Sequence, residues 1–315
     1  MAKYRNRLPQ LDGGLFLTDG GLETTLIFQR GVELPHFAAF DLMRTPSGRD
    51  MLRDYHRPYI AVAKANGYGF ILDGPTWRAS ADWAAKLGYS KDALAAVNRD
   101  AVSMMLELRD EYETAAIPMV VSGTLGPRGD GYVPGELMSE QEAETYHAEQ
   151  IAVFADTEAD MVCAFTLTNI PEAVGIARAA KAAGMPAGIS FTLETEGKLP
   201  TGDMLGNAIA ATDAATDGWP AYYMINCAHP THFEGVLASG GTWLQRLRGI
   251  RANASRRSHA ELNDAPDLDA GNPVELGEEY RALVRRYPNI TVIGGCCGTD
   301  ERHIACIGNA CHHSA

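Results

Sequence analysis

Three cysteines in this sequence have a spacing that suits metal chemistry. Cys296 and Cys297 are adjacent, lie among glycines in the segment GGCCGT at 294–299, and follow a short apolar run. Cys227 also follows an apolar run, at 222–225. Because glycine lets the chain leave strand geometry, both neighbouring thiols can point toward one site. Three thiolates suit zinc, which takes four ligands, so that the last position is left open for a substrate.

An open position beside three thiolates has a chemical consequence. A substrate thiol bound there loses its proton because the metal stabilises the sulfur anion, and the thiolate is then a nucleophile at neutral pH. The cluster predicts alkylation of a thiol, with Cys227, Cys296 and Cys297 as metal ligands and catalytic groups. Two other interpretations stay open here. One is a closed structural zinc site with His229 as fourth ligand, and the other is a set of buried, inert cysteines.

The composition indicates a globular chain with a sizeable core. It has 315 residues, of which 46% are hydrophobic, so disorder is not expected. Its 27 basic and 40 acidic residues give a net charge of −13, which argues against a nucleic-acid or anionic-membrane surface.

The chain carries no visible targeting or membrane signal. No apolar run approaches the ~18 residues of a transmembrane helix, and no apolar secretory core follows the basic start. We therefore expect a cytoplasmic protein, in which the six cysteines form no disulfide framework.

Eight short apolar runs alternate with helical patterns along the whole chain, which predicts one domain over 1–315. The runs lie at 15–18, 68–72, 117–121, 161–165, 187–191, 222–225, 247–251 and 290–293. This alternation predicts a parallel α/β fold, the (β/α)8 TIM barrel, with a doubly wound open sheet as the alternative. In such a barrel the active site lies at the C-terminal strand ends, where Asp19 and the three cysteines fall.

Segments outside the strands receive simpler interpretations. The glycine-rich stretch at 122–131 is predicted to be a functional loop or lid, and the polar stretch 254–273 a long surface loop. Cys163, inside a strand, is predicted to belong to the core. The terminal residues Cys306, Cys311, His312 and His313 are interpreted as an incidental cluster.

The sequence resembles the homocysteine S-methyltransferase family of zinc-dependent barrels, essentially from end to end. The most specific matches are the segments DGG at 19–21, NC at 226–227, GGCCGT at 294–299 and HI at 303–304. The resemblance implies zinc on Cys227, Cys296 and Cys297. It also implies that Asp19 and the amides around Gly20 and Gly21 help to hold the amino-acid part of the thiol substrate, with Asn226 beside them.

One position departs from the family pattern. Where the family usually carries a glutamate after the fourth strand, this chain has Thr166. A hydroxyl cannot supply the charge-assisted hydrogen bond that a carboxylate gives to an ammonium group. Glu194, after the fifth strand, is a candidate replacement. The acceptor is otherwise a thiol that lacks the amino group or presents it elsewhere.

The resemblance implies transfer of a methyl group from a small cationic donor to a small thiol, with homocysteine giving methionine. S-methylmethionine, S-adenosylmethionine and betaine are the donor candidates. Trp77, Tyr132 and Phe165 could face the donor cation, although ordinary packing explains each of them as well. The alternatives are another thiol, a partner protein that carries a corrinoid, or a non-catalytic zinc- or thiol-binding barrel. A homo-oligomer is also left open.

Overall fold

Eight parallel strands pair in chain order and close into a barrel in the computed structural model, which describes residues 1–263, 265 and 267–312. The predicted (β/α)8 TIM barrel is confirmed, and the open doubly wound sheet is wrong because β1 pairs with both β2 and β8. The strands are β1 (Phe16–Leu17), β2 (Gly69–Asp73), β3 (Met119–Leu125), β4 (Met161–Leu167), β5 (Ala187–Thr192), β6 (Tyr222–Asn226), β7 (Leu247–Ala252) and β8 (Val292–Gly295).

Helices alternate with the strands and form the outer layer. No helix among the described residues combines the length and the apolar character needed to cross a bilayer. The α-helices are Leu22–Thr24, Pro46–Asn66, Ala81–Lys86, Lys91–Tyr112, Glu140–Ala155, Ile170–Ala182, Leu205–Thr216, Pro230–Ala238, His259–Asn263, Pro273–Arg286 and Glu301–His312. A π-helical turn follows at Thr25–Gln29, and short 3-10 segments are Pro9–Leu11, Pro35–Phe37, Ala39–Arg44 and Thr242–Arg246.

The barrel interior is filled by alternate residues of the strands, as the two-residue period of a strand requires. A cluster of apolar side chains occupies its lower part, and Cys163 lies there, as predicted. Toward the C-terminal strand ends the inward positions become polar. They include Asp73, Ser122, Ser190, Asn226 and Arg251, all of them buried.

This polar layer explains why β3 runs past its predicted end. The polar start of 122–124 indicated the end of a strand, but Ser122 and Thr124 pair with Met161 and Cys163 of β4. At the mouth of a barrel the inward side chains are polar, so a polar residue there does not mark the end of a strand. β4 is irregular there, with a register shift between Ala164 and Leu167.

Candidate active site

The structure brings the three cysteines together at the C-terminal mouth of the barrel. Cys227 directly follows β6, and Cys296 and Cys297 directly follow β8. Their sulfur atoms all lie within 4.8 Å of one another. In the part of the chain that the structure describes, they are the only group of three histidine, cysteine or acidic side chains that could hold a metal ion.

Backbone geometry fixes these sulfurs. Cys227 has a positive φ of 53°, which is costly for a residue with a side chain and is typical of functional sites. The cysteine pair is tied to β7 because the amide of Cys296 donates to the carbonyl of Ala252 at 2.8 Å. A Cβ added to Gly295 would lie 2.0 Å from Oγ1 of Thr299, so glycine is required for the turn that follows.

Cys227 and Cys296 form a disulfide in the structure, with their Cα atoms 5.5 Å apart. The sequence predicted no disulfide framework, and this single pair forms because two cysteines distant in sequence meet at strand ends on either side of β7. Cys297 stays free, with its sulfur 3.9 Å from that of Cys227. Metal binding needs thiolates at all three positions, so the disulfide and a three-cysteine metal site are alternative states of the same atoms.

Hydrogen-bond donors face the sulfurs from two sides. The Tyr132 hydroxyl lies 3.0 Å from Sγ of Cys297, and Nδ2 of Asn226 points at Sγ of Cys296 from 3.8 Å. Burial raises the pKa of the Cys297 thiol, and the charge of Glu23 raises it further while Tyr132 lowers it. The donor set therefore fits a soft divalent cation, whose charge would offset the cost of burying thiolates.

His229 does not join this cluster. Its ring nitrogens face Thr231 at 2.9 Å and Glu279 at 3.3 Å, and its side chain caps the helix Pro230–Ala238. Burial lowers the pKa of His229 to about 4, so that the ring is neutral at pH 7. The structure thus gives no support to a closed site with His229 as fourth ligand.

Asn226 organises the wall beside the sulfurs. Its Oδ1 accepts from the Thr166 amide at 2.8 Å and from the Ser190 hydroxyl at 2.7 Å, while its Nδ2 donates to Oγ1 of Thr166 at 2.9 Å. Thr166 sits at the irregular end of β4 with a φ of 62°. Its hydroxyl lies 4.0 Å from Sγ of Cys227, so Thr166 does border the cluster.

Asp19 belongs to a buried charge network below the cysteines. The Arg251 guanidinium donates to Asp19 at 2.6 Å and to Asp73 at 2.7 Å, and the Tyr55 hydroxyl donates to the other Asp19 oxygen at 3.0 Å. Burial alone would lower the pKa of Arg251, but the two carboxylates raise it above its ordinary value. We call Asp19, Tyr55, Asp73 and Arg251 the buried network.

Gly20 and Gly21 carry the chain from this network to the cysteine loop. The amide of Gly21 donates to the carbonyl of Thr299 at 3.0 Å, and the carbonyl of Gly20 accepts from Arg251 at 3.2 Å. A Cβ on Gly21 would lie 2.6 Å from the carbonyl oxygen of Cys296. This close approach requires glycine and places the turn directly against the predicted metal ligands.

The three aromatic candidates occupy different places. Phe165 has the Arg251 guanidinium 4.8 Å from its ring centroid, and Trp77 has the Arg78 guanidinium at 4.0 Å. Tyr132 comes from the loop between β3 and the helix Glu140–Ala155, and its ring packs at a tilt on that of His259, with centroids 4.2 Å apart. This loop, residues 126–139, which we call the lid, thus lies over the site.

His259 and Glu194 support the site from outside. His259 contacts the carbonyl of Cys227 through Nε2 and faces the Glu194 carboxylate through Nδ1 at 3.1 Å. Residues 254–273 were predicted to be a surface loop, which was wrong in part because they contain the helix His259–Asn263 and this buried histidine. Asp264 and Pro266, within that stretch, lie outside the described residues.

The C-terminal cysteines do not form a second site among the described residues. Cys311 is fully buried in the core, and Cys306 is only partly exposed on the same helix. The His312 ring contacts Tyr68 with centroids 6.0 Å apart, and His313 lies outside the described residues.

Sequence reasoning missed the charged groups Glu23, Arg78 and Arg251. A signal for Arg251 was available, because an arginine in a predicted strand must find an acid if it points inward. Glu23 follows the glycine turn at 20–21, and Arg78 lies between Trp77 and Trp83. Their importance depends on which way the side chains point, and local sequence does not show that.

Known proteins resemble this chain in sequence over most of its length. A sequence profile described as homocysteine S-methyltransferase matches residues 16–311. A selenocysteine Se-methyltransferase of Brassica oleracea var. italica is 23% identical over 94% of this chain and 88% of its own length. Homocysteine S-methyltransferase 2 of Arabidopsis thaliana is 21% identical over 94% of this chain and 92% of its own length.

Solved structures share the fold. The oxidised form of the homocysteine methyltransferase MmuM from Escherichia coli has a TM-score of 0.72 at 21% identity, covering 94% of this chain and 95% of that protein. Its metallated form has a TM-score of 0.70 at 20% identity, covering 94% and 96%. At this level of identity the likeness speaks for the fold alone.

Proposed function

This chain belongs to the homocysteine S-methyltransferase family and is a methyltransferase of that type, and we propose that it uses zinc to move a methyl group from a small cationic donor to homocysteine. The observation that carries the proposal is the gathering of three cysteine sulfurs within 4.8 Å at the C-terminal mouth of the barrel. The donor would be S-methylmethionine, S-adenosylmethionine or betaine.

Cys227, Cys296 and Cys297 would hold the zinc. When bound, zinc supplies a Lewis acid that lowers the pKa of the acceptor thiol, so that the sulfur is nucleophilic at neutral pH. The Tyr132 hydroxyl and the Asn226 amide, which face two of the sulfurs, would stabilise their negative charge.

The chain's own residues would then position the two substrates. Asp19, Gly20, Gly21, Thr166 and Asn226 would form the wall against which the acceptor lies. The acceptor sulfur donates an electron pair to the methyl carbon as the bond from that carbon to the donor's sulfur or nitrogen breaks. The donor leaves as a neutral thioether or tertiary amine, and the thiol proton passes to solvent. In-line placement supplies much of the rate.

A second candidate is transfer to a thiol that lacks the α-amino group. Thr166 favours it, because this hydroxyl is engaged with Asn226 and cannot replace a carboxylate.

Methyl transfer by the purified, reduced protein tests both candidates. Each donor would be offered with homocysteine and with other thiols, and the methylated product measured by mass spectrometry. Methionine formation supports the first candidate, and methylation of other thiols alone supports the second. Bound zinc without transfer from any small donor would contradict both and would favour a corrinoid-carrying partner or a non-catalytic barrel.

A further inference from the structure

The residues expected to receive an amino acid at this site are already engaged. Both Asp19 carboxylate oxygens accept hydrogen bonds, from Arg251 and Tyr55. Glu194 faces His259. Part of the hydrogen-bonding capacity of each carboxylate is therefore already taken by a protein partner.

The position of Thr166 is also closed by the lid. A Cβ built on Gly131 would lie 2.9 Å from Cγ2 of Thr166 and 3.2 Å from the Trp77 ring. The lid backbone therefore packs directly on the threonine methyl group, in the space that a longer acidic side chain would need. Thr166 therefore offers no receptor for an ammonium group of the acceptor.

Glu23 offers a carboxylate at the right place. It follows the glycine turn, and the next residue ties that turn to the cysteine loop, because the amide of Gly298 donates to Oγ1 of Thr24 at 3.2 Å. Among residues 1–263, 265 and 267–312, no side chain forms a hydrogen bond or an ion pair with the Glu23 carboxylate.

Arg78 offers the complementary cation. Its side chain is 6% exposed and lies between the rings of Trp77 and Trp83, with centroids at 4.0 and 3.9 Å. One guanidinium nitrogen donates to the lid carbonyl of Gly129 at 2.8 Å, while the buried Nε has no partner among the described residues. A buried guanidinium with an unsatisfied donor is costly unless a ligand completes it.

The two charges belong to one locality. A Cβ on Gly21, in the turn that precedes Glu23, would lie 2.6 Å from the carbonyl oxygen of Cys296. Arg78 is bonded to the lid at Gly129, and the lid carries Tyr132, whose hydroxyl lies 3.0 Å from Sγ of Cys297. An acid and a base at one mouth match a zwitterion whose thiol reaches the cysteine cluster.

We propose that Glu23 and Arg78, which we call the rim pair, form the receptor for the amino-acid end of the acceptor. The Glu23 carboxylate receives the ammonium group, and the Arg78 guanidinium receives the carboxylate. The choice of homocysteine rests on the proposed function. The rim pair restores amino-acid recognition that Thr166 cannot supply, so homocysteine is preferred to thiols that lack either charge.

Three thiols of equal length separate the two contacts. Homocysteine carries both charges, 4-mercaptobutanoate lacks the ammonium group, and 3-aminopropane-1-thiol lacks the carboxylate. Affinity would be measured by calorimetry on the zinc-loaded, reduced protein, which needs no turnover, and kcat/KM would be measured in parallel. Glu33→Gln and Arg30→Gln, both exposed and in the connection after β1, are the matched controls.

We expect a crossed pattern. Glu23→Gln weakens binding of homocysteine and 3-aminopropane-1-thiol by about 10- to 100-fold and leaves 4-mercaptobutanoate unchanged. Arg78→Gln weakens homocysteine and 4-mercaptobutanoate and spares 3-aminopropane-1-thiol. The controls match the wild type. A structural role would instead weaken all three thiols together.

The inference and the proposed function can fail separately. Equal losses on all three thiols, no loss, or a wild-type protein that binds 4-mercaptobutanoate as tightly as homocysteine would overturn the rim pair. If the crossed pattern holds but no donor gives methylation, the receptor stands and the methyltransferase proposal falls.

Discussion

The buried network and the rim pair both combine arginine with carboxylates, but only the buried network pairs its charges with each other. In the buried network, Arg251 joins two aspartates at 2.6 and 2.7 Å and its charge is satisfied within the protein. In the rim pair, the Glu23 carboxylate and the Nε of Arg78 have no such partner among the described residues. The first arrangement holds strand ends in place. The second leaves binding capacity for a ligand.

Loss of a cysteine ligand has the largest expected effect on activity, because methyl transfer needs the metal site whatever the two charged regions do. We expect Cys297→Ser to lose zinc and methyl transfer together, while circular dichroism shows an intact fold. Cys306→Ser, on the last helix, is the control and should keep both. Normal zinc content and turnover in Cys297→Ser would refute the assignment of the site.

Breaking the buried network should cost stability. Arg251→Leu leaves two buried carboxylates without their cation, and we expect the free energy of unfolding to fall by about 3–5 kcal/mol. The control Arg53→Leu removes surface ion pairs with Glu107 and Asp50 and should cost at most about 1 kcal/mol. Urea unfolding measures both. Equal losses in the two variants would show that the network is not structural.

Removing a charge of the rim pair should raise stability, whereas removing one from the buried network lowers it. Burial raises the pKa of Glu23 to about 7. As the pH rises above the ordinary pKa of a glutamate, Glu23 therefore loses its proton in the unfolded chain before it does so in the folded protein. Folding stability from this group therefore falls up to about pH 7, and Glu23→Gln escapes that loss. We expect the variant to gain on the order of 2 kcal/mol at pH 8 and little at pH 4.5.

Urea unfolding of the reduced, metal-free proteins at the two pH values measures this gain. Glu33→Gln is the control, since the exposed Glu33 should show no such dependence on pH. A Glu23→Gln variant that is less stable than the wild type at pH 8 would place Glu23 with the structural charges.

A conservative change in the rim pair has the smallest expected effect. Arg78→Lys keeps the charge but loses the fork that can grip a carboxylate through two hydrogen bonds. We expect kcat/KM for homocysteine to fall by about 3- to 10-fold, which is less than for Arg78→Gln. Equal kinetics of R78K and R78Q would indicate that geometry alone, and not charge, matters at this position.

The sequence predicted the parts of this molecule that depend on local pattern. Eight apolar runs gave eight strands, and Cys227, Cys296 and Cys297 could be placed at one mouth because each follows such a run. The partners of Asp19 could not be predicted in the same way. Arg251 lies on β7, far from Asp19 in sequence, and the closure of the barrel brings the two side chains together.

The ends of elements and the orientation of side chains were the hardest to predict. β3 continues through polar residues because they line the mouth, and the helix His259–Asn263 lies within a stretch that is polar in sequence. The role of Glu23 could not be predicted either, since an acid beside a glycine turn is common on protein surfaces. Only the packing of that turn on the cysteine loop distinguishes it.

Zinc content and methyl transfer, measured on one reduced sample, test the central claim most directly. The metal would be removed with a chelator and then restored, with S-methylmethionine, S-adenosylmethionine and betaine each offered with homocysteine. We predict about one zinc per chain, loss of methionine formation on removal, and recovery when zinc is returned. Undiminished methyl transfer by the zinc-free protein would contradict the account.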